Sequence, residues 1–476
     1  MSNIMKKSEF TNVKNNMPLI KATAIMGIFT YVFLCCEYLF VNVLSLFTSA
    51  DNTVSAQNCA LGISAVGIML YPVFNRFCKK QLGKICCAVT CVICVICIVL
   101  VCMHISYGVT LWMGFLLFLF LGIILNAVFY TCSSLIKDDK YLARIVGASY
   151  MCGVLLQLFS NNIISSEIVQ AVVLSLLLSL LVWLLAKVKN VESNAVLTYK
   201  RVCEKADNKS KAVKSCAVYL ALLIVLMTCI FSTLDNAVTL IHAKGDMDIG
   251  QMPRILLAVS GLVAGFVFDI NARKYMGIIM YCVMLLSTIC MAVIELSGSY
   301  MIGLIIFYVC AGFFAVFFTT GFMEISRYLK TPQLWAGFGR ALNNITAAVI
   351  SGVSMALLSS DNGIAVITVA VILFASVSVV TAVYTFKRKV LSENSDVEAC
   401  ESLDNKERLK KIAEKYSFTP REAEAFGLLV DTVDSIQVIA DSMYISKRTL
   451  ERYISSIYEK TGAKSRVELI KIFNNR

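Results

Sequence analysis

Long apolar stretches alternate with short polar segments along the chain until the pattern changes near residue 390. A membrane-crossing helix needs about 20 apolar residues, and lipid offers the backbone no hydrogen-bond partners, so each stretch is predicted to be a helix. We therefore predict an all-α fold class, with a polytopic membrane bundle of twelve helices over 20–389, in two sets of six separated by a loop at 187–215. The twelve stretches are 20–47, 54–75, 85–103, 109–134, 143–164, 168–186, 216–241, 254–270, 275–296, 299–325, 335–358 and 363–386.

The C-terminal residues 417–476 have the pattern of a small helical domain with four helices. Thr419 and Glu422 have the spacing of a capping box at the start of its first helix. Ser446 is predicted to cap the third helix, whose inward apolar residues recur every three to four positions, and Gly462 to end it.

The polar segment 390–416 separates the two parts and has two open interpretations. It is either a frayed linker, or a linker that ends in a short connector helix with Leu409 and Ile412 on its apolar face. At the other end of the chain, the polar residues 1–19 are predicted to be a cytoplasmic N-terminus.

Composition excludes a soluble globular, disordered or secreted disulfide-rich protein. Hydrophobic residues make up 58% and charged residues 16% of the chain, whereas soluble domains have about 25% charged residues. The 19 cysteines lie mostly in apolar stretches and are interpreted as small apolar residues. A metal or redox motif at Cys91, Cys94 and Cys97 is the alternative, but no nearby histidine or carboxylate completes it. The sequence predicts no metal, cofactor or catalytic centre.

The positive charges predict the topology. Loops on one side of the bundle, counted with both ends of the apolar part, carry 27 Lys and Arg residues, and the opposite side has only Lys244 and Arg254. Because positively charged loops remain in the cytoplasm, we predict a protein of the cell (inner) membrane with both termini cytoplasmic.

A weak internal repeat accompanies this topology. An aromatic, an Asx residue and two cations follow the second span, at Phe74 to Lys80, and again follow the eighth span. The second copy, Gly265-x-x-x-Asp269-x-x-x-Arg273-Lys274, resembles the cytoplasmic signature of the major facilitator superfamily. The resemblance implies a transporter-like fold. The first copy departs from it, with Asn75 in place of the acid.

Ionisable residues within apolar stretches are costly, so each suggests a function. Glu37 and Asp235 lie in corresponding spans of the two halves and are predicted to line a central cavity that binds a small molecule, together with Asn126. The alternative is hydrogen bonding between helices, or a position of Asp235 near the outer surface. A cytoplasmic gate or anchor is predicted from five further residues, in which Glu324 and Arg327 have the spacing of an ion pair: Asp269, Arg273, Glu324, Arg327 and Arg340.

The C-terminal helices resemble the LuxR-type DNA-binding domain over 418–470. The positions that carry the resemblance are Thr419-Pro420-Arg421-Glu422-x-Glu424, Ile439-Ala440-x-x-Met443-x-Ile445-Ser446-x-x-Thr449-Leu450 and Ile457-Tyr458-x-Lys460-x-Gly462-x-x-Ser465-Arg466. The resemblance implies double-stranded DNA as partner, a homodimer on DNA and a recognition helix in the major groove. The DNA-binding residues implied are Ser446, Lys447, Arg448, Thr449, Arg452 and Lys460.

Three departures from the family pattern affect this expectation. Glu451 replaces the usual lysine, Tyr453 replaces a histidine, and the turn at 431–434 lacks a glycine and is one residue longer. The balance of nine cations against eight acids over 417–476 is weak for a DNA-binding protein. A helical bundle that binds protein is the alternative.

Three functions follow from the fusion of the two parts. The leading prediction is a membrane-bound one-component transcription regulator that senses a small molecule. The second is a secondary transporter with a regulatory or vestigial tail. The third is a scaffold whose spans only anchor the tail.

Overall fold

The computed structural model forms two compact units, Met1–Lys389 and Val390–Arg476. The structure describes residues 2–77, 81–136, 139–164, 166–192, 207–244, 253–297, 300–358, 363–431, 435–443 and 445–474. Over these residues both units consist of helices, and no strand occurs. The all-α fold class is confirmed.

Six helices form the first half of the membrane unit, in the order that the apolar stretches predict. The first helix begins well before the predicted span, at Ser2. The helices are α1 Ser2–Ser45, α2 Ala50–Phe77, α3 Gln81–Cys102, α4 Tyr107–Leu135, α5 Leu142–Ile163 and α6 Glu167–Glu192.

Six further helices form the second half, so the described residues contain the twelve predicted long helices. Nine of them have the length and hydropathy of a membrane span over the described residues, and α8 and α9 are apolar over shorter lengths. The helices are α7 Asp207–Ala243, α8 Pro253–Phe268, α9 Met276–Ser297, α10 Tyr300–Ser326, α11 Phe338–Leu358 and α12 Gly363–Lys415.

Helix α12 continues far beyond the apolar stretch that predicts it. It runs to Lys415, through the polar segment that sequence analysis left open between a frayed linker and a short connector helix. The backbone from 390 to 415 contains neither proline nor glycine, so no residue in it breaks the helix.

Glycines allow helices of the two halves to pack closely. Helix α5 lies against α8. A Cβ atom on Gly147 would lie 2.5 Å from the backbone oxygen of Gly261, and one on Gly265 would lie 2.6 Å from the backbone oxygen of Ala143. Because backbone atoms cannot move aside as a flexible side chain does, only glycine permits this crossing.

Four short helices form most of the C-terminal unit: α13 Pro420–Asp431, α14 Ile436–Ser442, α15 Lys447–Thr461 and α16 Arg466–Asn474. The capping box is confirmed, since the Thr419 N–H donates to Glu422 Oε2 at 2.7 Å and the Glu422 N–H to Thr419 Oγ1 at 3.3 Å. Within the same unit, Leu409 and Ile412 at the end of α12 pack on the core, which consists of Ala425, Phe426, Leu429, Ile439, Ala440, Met443, Leu450, Ile454, Ile457, Ala463, Leu469 and Phe473.

Candidate nucleic-acid interface and membrane cavity

A cavity of about 190 Å³ lies among seven helices of the membrane unit, α1, α2, α5, α7, α8, α10 and α11. Glu37 of α1 and Asp235 of α7, the two carboxylates predicted to serve a cavity, both line it. Glu37 Oε1 accepts a hydrogen bond from Gln57 Nε2 at 2.8 Å. The two halves of the bundle therefore each contribute one acid to a shared space.

Two arginines of the same cavity were missed by sequence reasoning. Arg254 was counted only as a loop cation, and Arg340 was assigned to a cytoplasmic gate, but both line the cavity. The Arg340 guanidinium lies 5.4 and 5.6 Å from the ring centroids of Phe33 and Phe318. The structure places Arg340 in the cavity because the first turns of α11 face the interior of the bundle, and its part in a cytoplasmic gate stays a prediction. The sequence offered one signal for this position: Arg340 and Asn343 are three residues apart, so they lie on the same face of α11, and Asn343 also lines the cavity.

Asn126 lies elsewhere. Its side-chain amide donates to the backbone oxygens of Ile68 at 2.8 Å and Gln333 at 2.9 Å, and accepts from the Gly337 N–H at 3.0 Å. The side chain is fully buried and ties α4 to α2 and to the segment before α11, which includes the short helix Pro332–Trp335. Its predicted place in the cavity is corrected, because these backbone groups use its hydrogen-bonding capacity.

A buried cluster of charged side chains lies where α8, α9, α10 and α12 approach the predicted cytoplasmic end. Arg273 bonds both Asp269 and Glu324 at 3.1 Å. Asp269 also accepts the Ala143 and Arg144 N–H groups at 3.1 and 2.8 Å. The cluster therefore joins the two halves, since Ala143 and Arg144 lie in the first turn of α5.

The pair predicted between Glu324 and Arg327 is replaced by other contacts. The two carboxylate oxygens of Glu324 accept from Arg273 and from Arg388, the latter at 2.8 Å. Arg327 instead donates to Ser133 Oγ at 3.2 Å and to the Ile136 backbone oxygen at 2.8 Å. Arg388 was missed because nothing in the sequence distinguishes it from its neighbouring cations. Its bond attaches α12 to α10.

In the C-terminal unit, helix α15 has well-defined ends. Ser446 Oγ accepts the Thr449 N–H at 3.2 Å, and the two hydroxyl oxygens are 2.8 Å apart. Gly462 ends the helix in the left-handed conformation with φ of 73°. Both ends are as predicted from the sequence, because serine and glycine suit these positions.

The two faces of α15 differ in chemistry. Leu450, Ile454 and Ile457 are buried against the domain core. Arg448 and Arg452, four residues apart, are exposed on the opposite side. Cations held in successive turns of an exposed helix can contact phosphates and base edges in a major groove.

The family model described as "Bacterial regulatory proteins, luxR family" matches residues 416–473. Residues 416–473 are a LuxR-type helix-turn-helix domain. They include the turn after α12 that holds Tyr416, all of α13, α14 and α15, and α16 as far as Phe473.

The membrane unit has a transporter-like fold. The crystal structure of an auto-inhibited POT family peptide transporter is similar to the chain with a TM-score of 0.52 and 9% sequence identity, over 78% of this chain and 97% of that chain. No curated protein matches the chain.

Within the LuxR-type domain, Lys460 differs from the other predicted DNA-binding residues. Its ammonium bonds Glu422 Oε2 at 2.6 Å and the Ser417 backbone oxygen at 3.1 Å, which ties the end of α15 to the start of α13. Burial acts to raise the pKa of Glu422, but hydrogen bonds from Lys460, Ser456 and Thr419 outweigh it and lower that pKa to about 2. Lys460 therefore stabilises the domain.

The departure at Glu451 puts an acid on the exposed face of α15. Its carboxylate lies 3.9 Å from the Lys447 ammonium, and both side chains are about half exposed. This pair reduces the positive potential at the start of the LuxR-type recognition helix. Of the other departures, Tyr453 packs against the domain core, and the turn at 431–434 lies outside the described residues except for Asp431.

Proposed function

We propose that the protein is a membrane-bound one-component transcription regulator. Its membrane domain senses a small molecule in the cavity, and its LuxR-type domain binds promoter DNA from the cytoplasmic face of the cell membrane. The observation that carries the proposal is the exposed cationic face of α15 in a LuxR-type domain fused to a transporter-like bundle with a charged cavity.

On DNA, Arg448 and Arg452 contact phosphates or base edges, and Lys447 contacts the backbone. Ser446 and Thr449, at the helix start, bond phosphate through their hydroxyl groups. Two copies of the chain bind as a homodimer, which compensates for the weak net charge of one domain.

Coupling between the two parts follows helix α12. A ligand that binds one packing of the two halves more tightly than another shifts the equilibrium between the two packings. The size of the shift is set by the difference in its affinity for them. A changed position of Arg388 against Glu324 alters α12, whose last turns hold Leu409 and Ile412 on the DNA-binding core.

The test is DNA selection by the full chain in nanodiscs from fragmented genomic DNA at two salt concentrations. We expect sequence-selective, salt-sensitive binding that an Arg448→Ala, Arg452→Ala variant loses. The matched control is Arg421→Ala, which removes an exposed arginine on α13 and keeps binding. If the unmodified chain selects no sequence, the regulator proposal is wrong.

A secondary transporter is the second candidate, since acids from both halves line one cavity in a transporter-like fold. It predicts that Glu37→Gln abolishes uptake of a solute while expression of target genes stays unchanged. Loss of gene regulation with uptake intact would exclude it.

A further inference from the structure

Two charged side chains of opposite sign, Asp235 and Arg340, line the cavity. Among the described residues, neither the Asp235 carboxylate nor the Arg340 guanidinium forms a hydrogen bond or ion pair with another protein group. The rings of Phe33 and Phe318 attract the charge of Arg340. A phenyl ring has no lone pair, so these rings do not satisfy the five N–H donors of the guanidinium group. Both groups are therefore available to a solute.

The other charges of the cavity are already engaged. Glu37 accepts from Gln57, and Arg254 donates to Gln157. His242 lies 2.9 Å from Asn42 and stacks on Tyr38.

The formal charges of the cavity's acids and arginines, two of each, sum to zero. A solute with a net charge would leave one charge uncompensated in a region of low dielectric constant, which is costly. A neutral solute with both a negative and a positive group compensates Asp235 and Arg340 together.

Size and shape restrict the solute further. The cavity volume of about 190 Å³ is below the roughly 300–1,000 Å³ of pockets for drug-sized ligands. Phe231 and Phe314 form part of the wall as a stacked pair with centroids 4.6 Å apart. The cavity therefore fits a small molecule that carries an apolar or aromatic group.

We infer that the cavity binds a zwitterionic solute of amino-acid size, with its carboxylate on Arg340 and its ammonium on Asp235. The inference rests on the sensor function proposed above and names the class of ligand for that site. The stacked phenylalanines hold the apolar group of the solute.

The experiment measures binding by calorimetry and thermal stabilisation of the full chain in nanodiscs. The probes are L-alanine, L-leucine and L-phenylalanine, each with the amine that lacks its carboxylate and the acid that lacks its ammonium. We expect at least one zwitterion to bind, and its two singly charged counterparts to bind at least tenfold more weakly. Equal binding of a singly charged counterpart, or binding of no zwitterion, would overturn the proposal.

Two variants test the assigned contacts by changing selectivity. Asp235→Asn is expected to weaken zwitterion binding at least tenfold and to spare the acid counterpart. Arg340→Gln is expected to weaken zwitterion binding at least tenfold as well, and to leave the affinity for the amine unchanged. Arg76→Gln, an exposed arginine near the end of α2, is the control and changes none of the three affinities. Equal weakening of all three probes by either variant would show a structural role and overturn the assignment.

DNA binding by the same nanodiscs separates this proposal from the regulator. Zwitterion binding without selective DNA binding supports the ligand class and overturns the regulator. Selective DNA binding without zwitterion binding supports the regulator and overturns the ligand class.

Discussion

The recognition helix and the membrane unit place their charged residues in opposite environments. On α15, Arg448 and Arg452 are exposed to solvent from successive turns of one helix. In the membrane unit, Arg273 is 1% exposed and held by two acids. A solvated charge can change with little effect on folding, whereas a buried charge needs its partners. We therefore expect substitutions of exposed cations on α15 to leave stability nearly unchanged, and substitutions of the buried charges in the bundle to reduce it.

The largest expected effect is in the buried cluster. Arg273→Gln leaves Asp269 and Glu324 with less positive charge in a buried site, which costs roughly 3–5 kcal/mol. Thermal unfolding of the full chain in detergent measures the loss, with Arg76→Gln as an exposed control. Adding Asp269→Asn should restore part of the stability, since it removes one of the two acids that lose the charge of Arg273. Equal stability of Arg273→Gln and the native chain would contradict the comparison.

Among the described residues of the LuxR-type domain, Glu422 is the buried acid, and it sharpens the comparison. The pKa of Glu422 is lowered from 4.5 to about 2 in the fold, so its stabilisation is complete above pH 4.5 and is lost as pH falls towards 2. We expect up to about 3 kcal/mol of the free energy of unfolding of this domain to disappear over that window. Urea unfolding by circular dichroism at several pH values measures it.

The variant Glu422→Gln should flatten this pH dependence. Glu424→Gln is the matched control, because Glu424 is exposed and pairs with Arg421 at the surface. A native chain whose pH profile matches that of Glu422→Gln would contradict the role of the Lys460 contact.

A smaller effect is expected at Glu451. Glu451→Lys removes an acid from the face of α15 that is proposed to lie against phosphate, and it adds a cation. DNA affinity should therefore rise for all sequences by about 1 kcal/mol, and the salt slope should steepen by about one ion. Titration of labelled DNA at several salt concentrations checks this, with Glu459→Lys as the control with the same charge change. A fall in affinity at Glu451→Lys would indicate a base contact by the carboxylate.

The smallest effect expected is on the stability of the LuxR-type domain when a side chain of the proposed DNA interface is removed. Arg448→Ala should change the free energy of unfolding of the LuxR-type domain by less than about 0.5 kcal/mol while weakening DNA binding, because the side chain is exposed. Urea unfolding and DNA titration of the same preparation compare the two quantities. A large loss of stability in Arg448→Ala would show that the stability and the DNA affinity of the domain cannot be changed separately on α15.

Local patterns were sufficient for much of the molecule. Apolar stretches predicted the twelve long helices because in lipid a helix satisfies its own backbone. The caps of α15 at Ser446 and Gly462 followed from residue type alone, since they depend on contacts within one turn. The LuxR resemblance could also be found from the sequence, because the positions that carry it lie within one short segment.

The sequence by itself therefore determined the order of the apolar helices, the caps of α15 and the cationic face of α15, all of which arise from neighbours along the chain. Only the tertiary structure decided which charges meet. Arg340 and Asp235 line the same cavity although they are 105 residues apart in the sequence. Arg388 bonds Glu324 across a separation of 64 residues. Such pairs depend on the rotation and crossing of whole helices, which no local spacing records.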